Sequence, residues 1–381
     1  MPPVHVCHLV LSLEPGGLEN GVVNVVNGLD PGEFRSSVCC LQRSGEFAAR
    51  LRPHVPVSVM GLQPGNDPVL PLRLAKLLRR TGVDIVHTRN AEPFFYGYLA
   101  ARLARIPVVV HSEHGRTFPE QPLRAMIQRL MLRGVDAAFA VSAQLRADLV
   151  RQLGIDGSRM EVLYNGVDTG SFRPSDALLR QPRAAGGRLR IGTVGRLVAV
   201  KNYALLLKAF ARLPPGECQL VLAGEGPERA ALEKLADDLG IRDRTEFAGH
   251  RDDVPDLLRT LDVFVLPSFS EGMSNTLLEA MATGVAVVAS DVGGNREIIE
   301  GERSGLLFPS EDTAAATAQL QRLAASADLR HALGSAGAAR VRGTFSIEAM
   351  LGRYAELYRR VWRQKRGARA GEAAARRAVR T

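Results

Sequence analysis

The chain has 381 residues, of which 46% are hydrophobic and 23% charged, and its formal net charge is +9. This length suits two domains better than one, and no apolar run approaches the roughly 20 residues of a membrane-spanning helix. Nine basic residues and one acidic residue lie between Arg359 and Arg380, so the rest of the chain is nearly neutral and predicts no nucleic-acid-binding surface.

The four cysteines, Cys7, Cys39, Cys40 and Cys218, are too few for a disulfide framework and lack the spacing of a metal site. We therefore expect buried thiols in a reducing compartment. The first ten residues carry no cationic segment and no small-residue cleavage site, so we expect no secretion signal and a cytoplasmic location.

Short apolar segments alternate with helical patterns along the first half of the chain. Strands are predicted at 5–12, 37–41, 83–88, 108–112 and 137–142, and helices at 18–29, 70–80 and 94–104. This βαβ alternation is typical of a parallel sheet with helices on both faces.

The alternation is interrupted by a polar stretch at 169–187 and then restarts. Strands are predicted at 189–194, 219–224, 245–248, 263–267, 285–290 and 305–308, and helices at 203–213 and 229–239. The predicted class is α/β, with doubly wound domains at 1–180 and 181–346, a helix with one apolar face at 347–366, and a basic tail at 367–381.

Ligands of doubly wound sheets bind beyond the carboxyl ends of the strands, so polar residues at strand ends are the candidates for a site. Gly16 and Gly17 follow the first strand and precede a helix, where backbone and helix dipole favour an anion. Glycines at 16, 17 and 21 do not have the dinucleotide-binding spacing, and a tight turn explains the pair equally well.

Three histidines lie at predicted strand ends. His114 follows the strand at 108–112, where an imidazole can exchange a proton near neutral pH. The alternative is an imidazole held by backbone groups, which is as good an interpretation for His114 and the better one for His87 and His111.

Arg196 and Lys201 follow the first strand of the second half, five residues apart. A guanidinium and an ammonium at a strand end can hold a diphosphate and stabilise the charge of a departing one. The alternative is an ordinary surface pair.

Glu271 and Glu279 lie eight residues apart, the first in a loop after a strand and the second in the helix that follows. Carboxylates accept paired hydrogen bonds from vicinal hydroxyls, and the N–H groups at 272–275 can meet an anion. For Glu279 the alternative is a helix capping box formed with Thr276.

Three runs of sequence together resemble the family 4 glycosyltransferases of GT-B fold. They are EGMSNTLLEAMATG at 271–284, GRLVAVKN at 195–202 and YNGVDTGSFRP at 164–174. The first 29 residues further resemble sugar transferases linked to exopolysaccharide and PEP-CTERM/exosortase systems.

The resemblance implies two facing Rossmann-like domains with a cleft between them, and a terminal helix that crosses back to the first domain. It also implies a nucleotide-diphosphate sugar as donor, a glycan or lipid-linked acceptor, retention of anomeric configuration, and neither metal nor cofactor. Met273 and Ser274 replace the Phe-Gly of many members, and Val285–Ala286 replaces Thr-Pro or a similar pair, so the donor sugar is not predicted.

The resemblance also implies roles for the candidate residues. Glu279 would hold the ribose, Glu271 the donor sugar, and His114 would lie near the transferred sugar. Arg196 and Lys201 would grip the diphosphate, and the remaining contacts would come from Gly16, Gly17, Gly272, Met273, Ser274 and Asn275, with Gly249, His250 and Arg251 at the base.

Two segments bear on a membrane partner. The segment at 122–133 mixes Arg124, Arg129 and Arg133 with apolar residues, as interfacial helices do, although an ordinary surface helix has the same pattern. The basic tail can attract anionic lipid or be a solvated end. We expect a peripheral contact with the inner face of the membrane.

Three functions fit the motifs. The preferred one is a retaining glycosyltransferase of exopolysaccharide or lipid-linked glycan synthesis. The alternatives are a nucleotide-sugar 2-epimerase, which would act without an acceptor, and a non-catalytic protein that binds a nucleotide sugar.

Overall fold

The structure is a computed structural model that describes residues 2–115, 122–174 and 188–378. The chain forms two compact units, residues 1–164 with 350–381, and residues 165–349. The domain boundary predicted at 180 lies outside the described residues. None of the described helices is long and apolar enough to cross a bilayer.

The first unit is built on a seven-stranded parallel sheet with the strand order β3-β2-β1-β4-β5-β6-β7. Its strands are β1 Val4–Val10, β2 Phe34–Cys40, β3 Val57–Val59, β4 Ile85–Arg89, β5 Val108–Glu113, β6 Ala137–Ala140 and β7 Glu161–Val162. Its helices are α1 Gly17–Gly28, α2 Leu70–Thr81, α3 Ala91–Ala104, α4 Pro122–Leu132 and α5 Ala143–Leu153.

The second unit is built on a six-stranded parallel sheet with the strand order β10-β9-β8-β11-β12-β13. Its strands are β8 Leu189–Val194, β9 Cys218–Ala223, β10 Thr245–Gly249, β11 Val263–Leu266, β12 Ala286–Ser290 and β13 Leu306–Phe308. Its helices are α6 Tyr203–Ala211, α7 Arg229–Asp238, α8 Val254–Thr260, α9 Asn275–Ala282, α10 Asn295–Ile298, α11 Thr313–Ala325 and α12 Ala327–Thr344.

Burial on both faces explains why the central strands are continuous apolar runs. Every residue of β11 and β12 is buried, because α helices cover both faces of the sheet. The predicted alternation of strands and helices is therefore observed in both units. The short edge strands β3 and β7 were not predicted, since three and two residues carry no readable period.

The last helix, α13 Ile347–Ala378, begins in the second unit and continues into the first. Its apolar face packs on the first sheet, where Tyr354, Leu357 and Tyr358 are at most 3% exposed. Arg359 pairs with Glu33 at 2.5 Å. The helix continues beyond the predicted end at 366, so the residues expected to form a tail are helical as far as Ala378.

Candidate functional site

An ion pair joins two of the predicted residues at the carboxyl edge of the second sheet. Lys201 Nζ donates to Glu271 Oε1 at 2.6 Å, and Ser268 Oγ donates to the same oxygen at 2.6 Å. The Lys201 and Glu271 side chains are 20% and 10% exposed. The pair is therefore largely withdrawn from bulk water but still reachable by a ligand.

The loops that carry this pair follow the neighbouring strands β8 and β11. They are joined directly, since the Phe269 amide donates to the Val200 carbonyl at 2.9 Å. A third loop, after β12, lies against them at Gly293, which has φ +50. A Cβ there would sit 1.7 Å from the Glu271 carbonyl oxygen, so only glycine permits this approach.

Arg196 lies in the same loop as Lys201, directly after β8. Its side chain is exposed, and it forms no ion pair within the described part of the chain. The loop after β9 backs this loop, because the Leu197 amide donates to the Glu225 carbonyl at 2.8 Å. The structure thus places one exposed cation and one paired cation after the same strand.

Helix α9 begins directly after the Glu271 loop, and its cap corrects one sequence interpretation. Ser274 is the N-cap residue, and its Oγ accepts a hydrogen bond from the Leu277 amide at 3.3 Å. Glu279 is then the fifth helical residue, too far along to complete a capping box, which needs the third. The capping-box explanation for Glu279 is therefore wrong. Glu279 is a half-buried residue of α9.

The residues at the start of α9 are anchored within the second unit. Met273 is 6% exposed, and its Sδ lies 3.2 Å from the Asn165 amide nitrogen. The Asn165 side-chain amide donates to Asn275 Oδ1 at 3.1 Å. These contacts engage the Met273 sulfur and the Asn275 side-chain oxygen.

The residues expected to contact the nucleotide base are Gly249, His250 and Arg251. They lie at the carboxyl end of β10, the strand beside β9. Gly249 is joined to the loop after β9, since its carbonyl accepts from the Gly224 amide at 2.7 Å. His250 and Arg251 are exposed, and Arg251 forms an ion pair with Asp253 at 2.5 Å. This segment therefore lies at the same carboxyl edge as Arg196 and Lys201.

Gly16, Gly17 and His114 belong to the first unit. Gly16 is the N-cap residue of α1 with an extended backbone, φ −172, so its conformation does not require glycine. The preceding turn is braced by the loop after β2, where the Leu13 amide donates to the Ser44 carbonyl at 2.9 Å. The pair of glycines occupies the strand-to-helix turn that the sequence predicted.

His114 follows β5 and is held at two points. Its Nε2 lies 2.9 Å from Ser112 Oγ, and its amide donates to Asn90 Oδ1 at 2.9 Å. Burial, then Arg89 and His111, hold the pKa of His114 well below its ordinary value. Its imidazole is therefore neutral near pH 7 and can hydrogen-bond without carrying charge.

His87 and His111 are held by side chains, whereas the sequence favoured imidazoles held by backbone groups. His87 is fully buried between Tyr358 and Ser112, with hydrogen-bond distances of 2.6 and 2.9 Å. His111 is also fully buried, 3.2 Å from Glu113 Oε1 and 3.0 Å from Thr88 Oγ1.

Arg89 was missed by sequence reasoning. It ends β4, is 1% exposed, and approaches His8 Nδ1 with its Nη1 at 2.9 Å. A buried arginine is rare, and after burial itself this one is the next cause that lowers the pKa of His8, His87 and His114. The available signal was the polar run His87–Thr88–Arg89, which begins inside the strand predicted at 83–88 and ends one residue beyond it.

Within the described residues no three or more histidine, cysteine, aspartate or glutamate side chains are grouped so that they could hold a metal ion.

Two family models cover most of the chain. The model described as "Glycosyltransferase Family 4" matches residues 15–171, and the one described as "Glycosyl transferases group 1" matches residues 175–340.

Two curated relatives illustrate the similarity in sequence. The alpha-maltose-1-phosphate synthase of Mycolicibacterium smegmatis is 31% identical, over 73% of this chain and 79% of its own length. The UDP-Gal:alpha-D-GlcNAc-diphosphoundecaprenol alpha-1,3-galactosyltransferase of Escherichia coli is 29% identical, over 63% of this chain and 66% of its own length.

A solved structure with the same fold is that of the Anabaena protein HepE in complex with UDP-glucose. It has a TM-score of 0.81 and 22% sequence identity, and the match covers 93% of this chain and 99% of that one. This likeness confirms the predicted fold class, α/β with two doubly wound domains of the GT-B type.

Proposed function

Because the chain belongs to the family 4 glycosyltransferases, we propose that it moves a sugar from a nucleotide-diphosphate sugar to a glycan or lipid-linked acceptor. The observation that carries this proposal is the Lys201–Glu271 pair at the carboxyl edge of the second sheet, beside the exposed Arg196. Doubly wound sheets bind their ligands at this edge. The UDP-glucose complex of HepE supports a nucleotide-sugar donor.

The charges at this edge suit a diphosphate. Arg196 can donate two parallel hydrogen bonds to a phosphate, and Lys201 supplies a point charge. Both would stabilise the negative charge that develops on the departing diphosphate. Glu271, held by Ser268 and Lys201, would accept hydrogen bonds from hydroxyls of the donor sugar, and the backbone N–H groups at 272–275 would donate to its oxygens.

Glu279 would hold the ribose hydroxyls. Its half-buried position on α9, eight residues after Glu271, and the absence of a capping role support this assignment. A carboxylate accepts hydrogen bonds from both hydroxyls of a vicinal pair.

We propose a retaining reaction that uses no metal. The acceptor oxygen bonds to the anomeric carbon on the face from which the diphosphate leaves, the bond from that carbon to the phosphate oxygen breaks, and the acceptor proton passes to the leaving phosphate. The cations Arg196 and Lys201 take the charge-stabilising role that a metal ion has in other transferases. The neutral His114 imidazole would hydrogen-bond to the transferred sugar.

The acceptor is proposed to be lipid-linked and the site of action the inner face of the membrane. The name of the E. coli relative specifies a diphosphoundecaprenol acceptor, which supports this class. Helix α4 supports a membrane contact, because Leu123, Met126 and Leu130 are 62%, 53% and 53% exposed and lie at helical spacing between arginines. The role in exopolysaccharide synthesis, of the PEP-CTERM/exosortase kind, rests on the amino-terminal resemblance.

One experiment tests the function directly. The protein is incubated with a panel of nucleotide sugars, with and without lipid extract, while nucleoside diphosphate release and sugar incorporation are followed. We expect one donor to give release that depends on the lipid and matches the sugar incorporated. Release or isomerisation without lipid would indicate the 2-epimerase, and binding of a donor without turnover would indicate a non-catalytic protein.

A further inference from the structure

A cavity of about 360 Å³ lies in the first unit, away from every residue assigned above. Four basic side chains line it, those of His5, Arg35, His54 and Arg80, and no carboxylate does. The volume lies within the range of pockets that bind small molecules. A cavity with only cationic charged groups attracts an anion.

Arg35 is an exposed residue, but two hydrogen bonds hold its side chain at this cavity. Its Nη2 donates to His5 Nδ1 at 2.6 Å and to the Thr81 carbonyl at 2.9 Å. His5 Nδ1 also lies 3.1 Å from the Thr81 carbonyl oxygen, and His5 Nε2 lies 2.9 Å from Ser37 Oγ. Burial, then Arg35, lowers the pKa of His5, so its ring is neutral near pH 7.

These two contacts leave the other N–H groups of Arg35 available. Neither Arg35 nor Arg80 has an ion pair with any carboxylate in the described part of the chain. Asp84, which accepts a hydrogen bond from the His5 backbone amide at 2.9 Å, does not line the cavity. Donors already held in position bind a ligand with less loss of side-chain freedom.

The cavity lies at the opposite edge of the sheet from Gly16 and His114. His5 and Arg35 are the second residues of β1 and β2 and pair with each other in register. The reactants of a doubly wound sheet bind at the carboxyl ends of the strands, whereas these residues are at the amino ends. The occupant of this cavity is therefore a separate ligand, not the sugar donor.

The lining also indicates the chemistry of that ligand. Two guanidinium groups match a phosphate dianion better than a singly charged carboxylate, because they can form forked hydrogen bonds to several of its oxygens. Pro56 and Leu77 add apolar surface to the wall. We propose that this cavity is a binding site for a small phosphate monoester, with Arg35 and Arg80 on its phosphate and the apolar wall on its organic part.

The test uses the full chain labelled with ¹⁵N-histidine, titrated with inorganic phosphate and separately with phenyl phosphate. The imidazole resonances of His5 and His54 report occupancy at this cavity, and comparison with His54→Gln assigns them. We expect saturable shifts with both probes and tighter binding of phenyl phosphate. This readout requires no sugar transfer, so its outcome is independent of the proposed reaction.

Two variants on α2 make the test specific. Arg80→Ala should weaken the binding of phenyl phosphate by about tenfold or more, as expected when a charge-assisted hydrogen bond is lost. Lys76→Ala removes the same charge from the same helix at a residue that does not line the cavity, and should change affinity by less than about twofold. The Arg80 side chain forms no hydrogen bond or ion pair within the described residues, so its replacement should leave the fold intact.

The proposal is overturned if the His5 and His54 resonances do not move with either probe, or if Arg80→Ala and Lys76→Ala weaken binding equally. If the two probes bind with equal affinity, the assignment of the ligand as a phosphate monoester is wrong and the site binds free phosphate. Arg35→Lys gives an independent check. It keeps the positive charge but removes the forked hydrogen bonds of the guanidinium, so it should also weaken the binding of phenyl phosphate.

Discussion

At the scale of single residues, the Lys201–Glu271 pair combines burial with access. An exposed ion pair contributes little to stability, but these side chains are at most 20% exposed, and Ser268 donates a second hydrogen bond to the carboxylate. Such a pair can keep its geometry while a charged ligand binds beside it. Sequence supplied both residues, but only the folded loops show that they contact each other.

Removal of either partner should reduce turnover. We expect Lys201→Ala and Glu271→Ala each to lower kcat by about two orders of magnitude, since each removes a contact to charge that develops in the reaction. The measurement is nucleoside diphosphate release at saturating donor, with thermal unfolding recorded in parallel to separate lost chemistry from lost fold.

The control for this prediction is Lys234→Ala, which breaks an exposed pair with Asp238 in the same unit. Its turnover should stay within about twofold of the parent. Full activity in Lys201→Ala or Glu271→Ala would contradict the donor-site assignment.

Buried histidines make the first unit sensitive to acid. Burial, followed by Arg89, lowers the pKa of His8, His87 and His114 far below the value of about 6.5 of an unfolded chain. Below pH 6.5 the unfolded chain takes up protons that the folded one cannot, so stability is present above this pH and is lost as pH falls. Each histidine can contribute up to about 1.4 kcal/mol per pH unit.

Urea unfolding between pH 7.5 and pH 5 should show this loss. Trp362, the single tryptophan of the chain, lies on the part of α13 in the first unit, so its fluorescence reports that unit. His87→Gln should flatten the pH dependence by removing one titrating group, whereas the exposed His250→Gln should not change it. An unchanged slope in His87→Gln would show that His87 does not contribute to the dependence.

At the scale of elements, the sequence predicted the long, buried elements and missed those whose identity depends on distant partners. Strand β11 is apolar throughout and β12 is apolar as far as Ala289, so both were readable, whereas the strand predicted at 83–88 continues in β4 to the buried charged residue Arg89. That charge is tolerated because His8 and Tyr354 come from β1 and α13 to surround it. No local pattern contains this information.

Helix α13 shows the same limit at its end. The apolar face is readable as far as Trp362, so the helix was predicted to stop at 366, but it continues as far as Ala378. The following residues are mainly alanine and arginine, which favour helix without needing a buried face. Helix propensity therefore favours these last turns.

Helix α4 gives the prediction that belongs to this scale. Changing Leu123, Met126 and Leu130 to serine together should weaken binding to vesicles with anionic lipid by about tenfold or more, because it removes the exposed apolar face. Neutral vesicles should bind the parent chain weakly, and added salt should weaken anionic binding because arginines flank the face.

The matched control is Val59→Ser, which alters a 50% exposed apolar residue on the edge strand β3 of the same unit. Its vesicle binding should equal that of the parent. If the triple variant binds as well as the parent, α4 is an ordinary surface helix.

At the scale of the whole molecule, the two units differ in how the chain builds them. The second is continuous, from 165 to 349, whereas the first needs residues 350–381 in addition to 1–164. Within the first unit, the Tyr358 hydroxyl lies 2.6 Å from His87 Nδ1, Leu351 lies against Gly28, and Arg360 pairs with Glu161. Without α13 the polar groups around Arg89 would lose the ring faces that cover them.

This difference predicts opposite behaviour of two fragments. The fragment 165–349 should fold alone, with a cooperative thermal transition in circular dichroism, because its sheet and core are complete. The fragment 1–164 should lack such a transition and gain one when a peptide of residues 350–378 is added, because the buried cluster then recovers Tyr354 and Tyr358. A matched peptide with Tyr354 and Tyr358 both changed to serine should fail to restore it. A fragment 1–164 that folds cooperatively without any peptide would show that α13 merely rests on the first unit, and that Arg89 finds sufficient partners on the sheet itself.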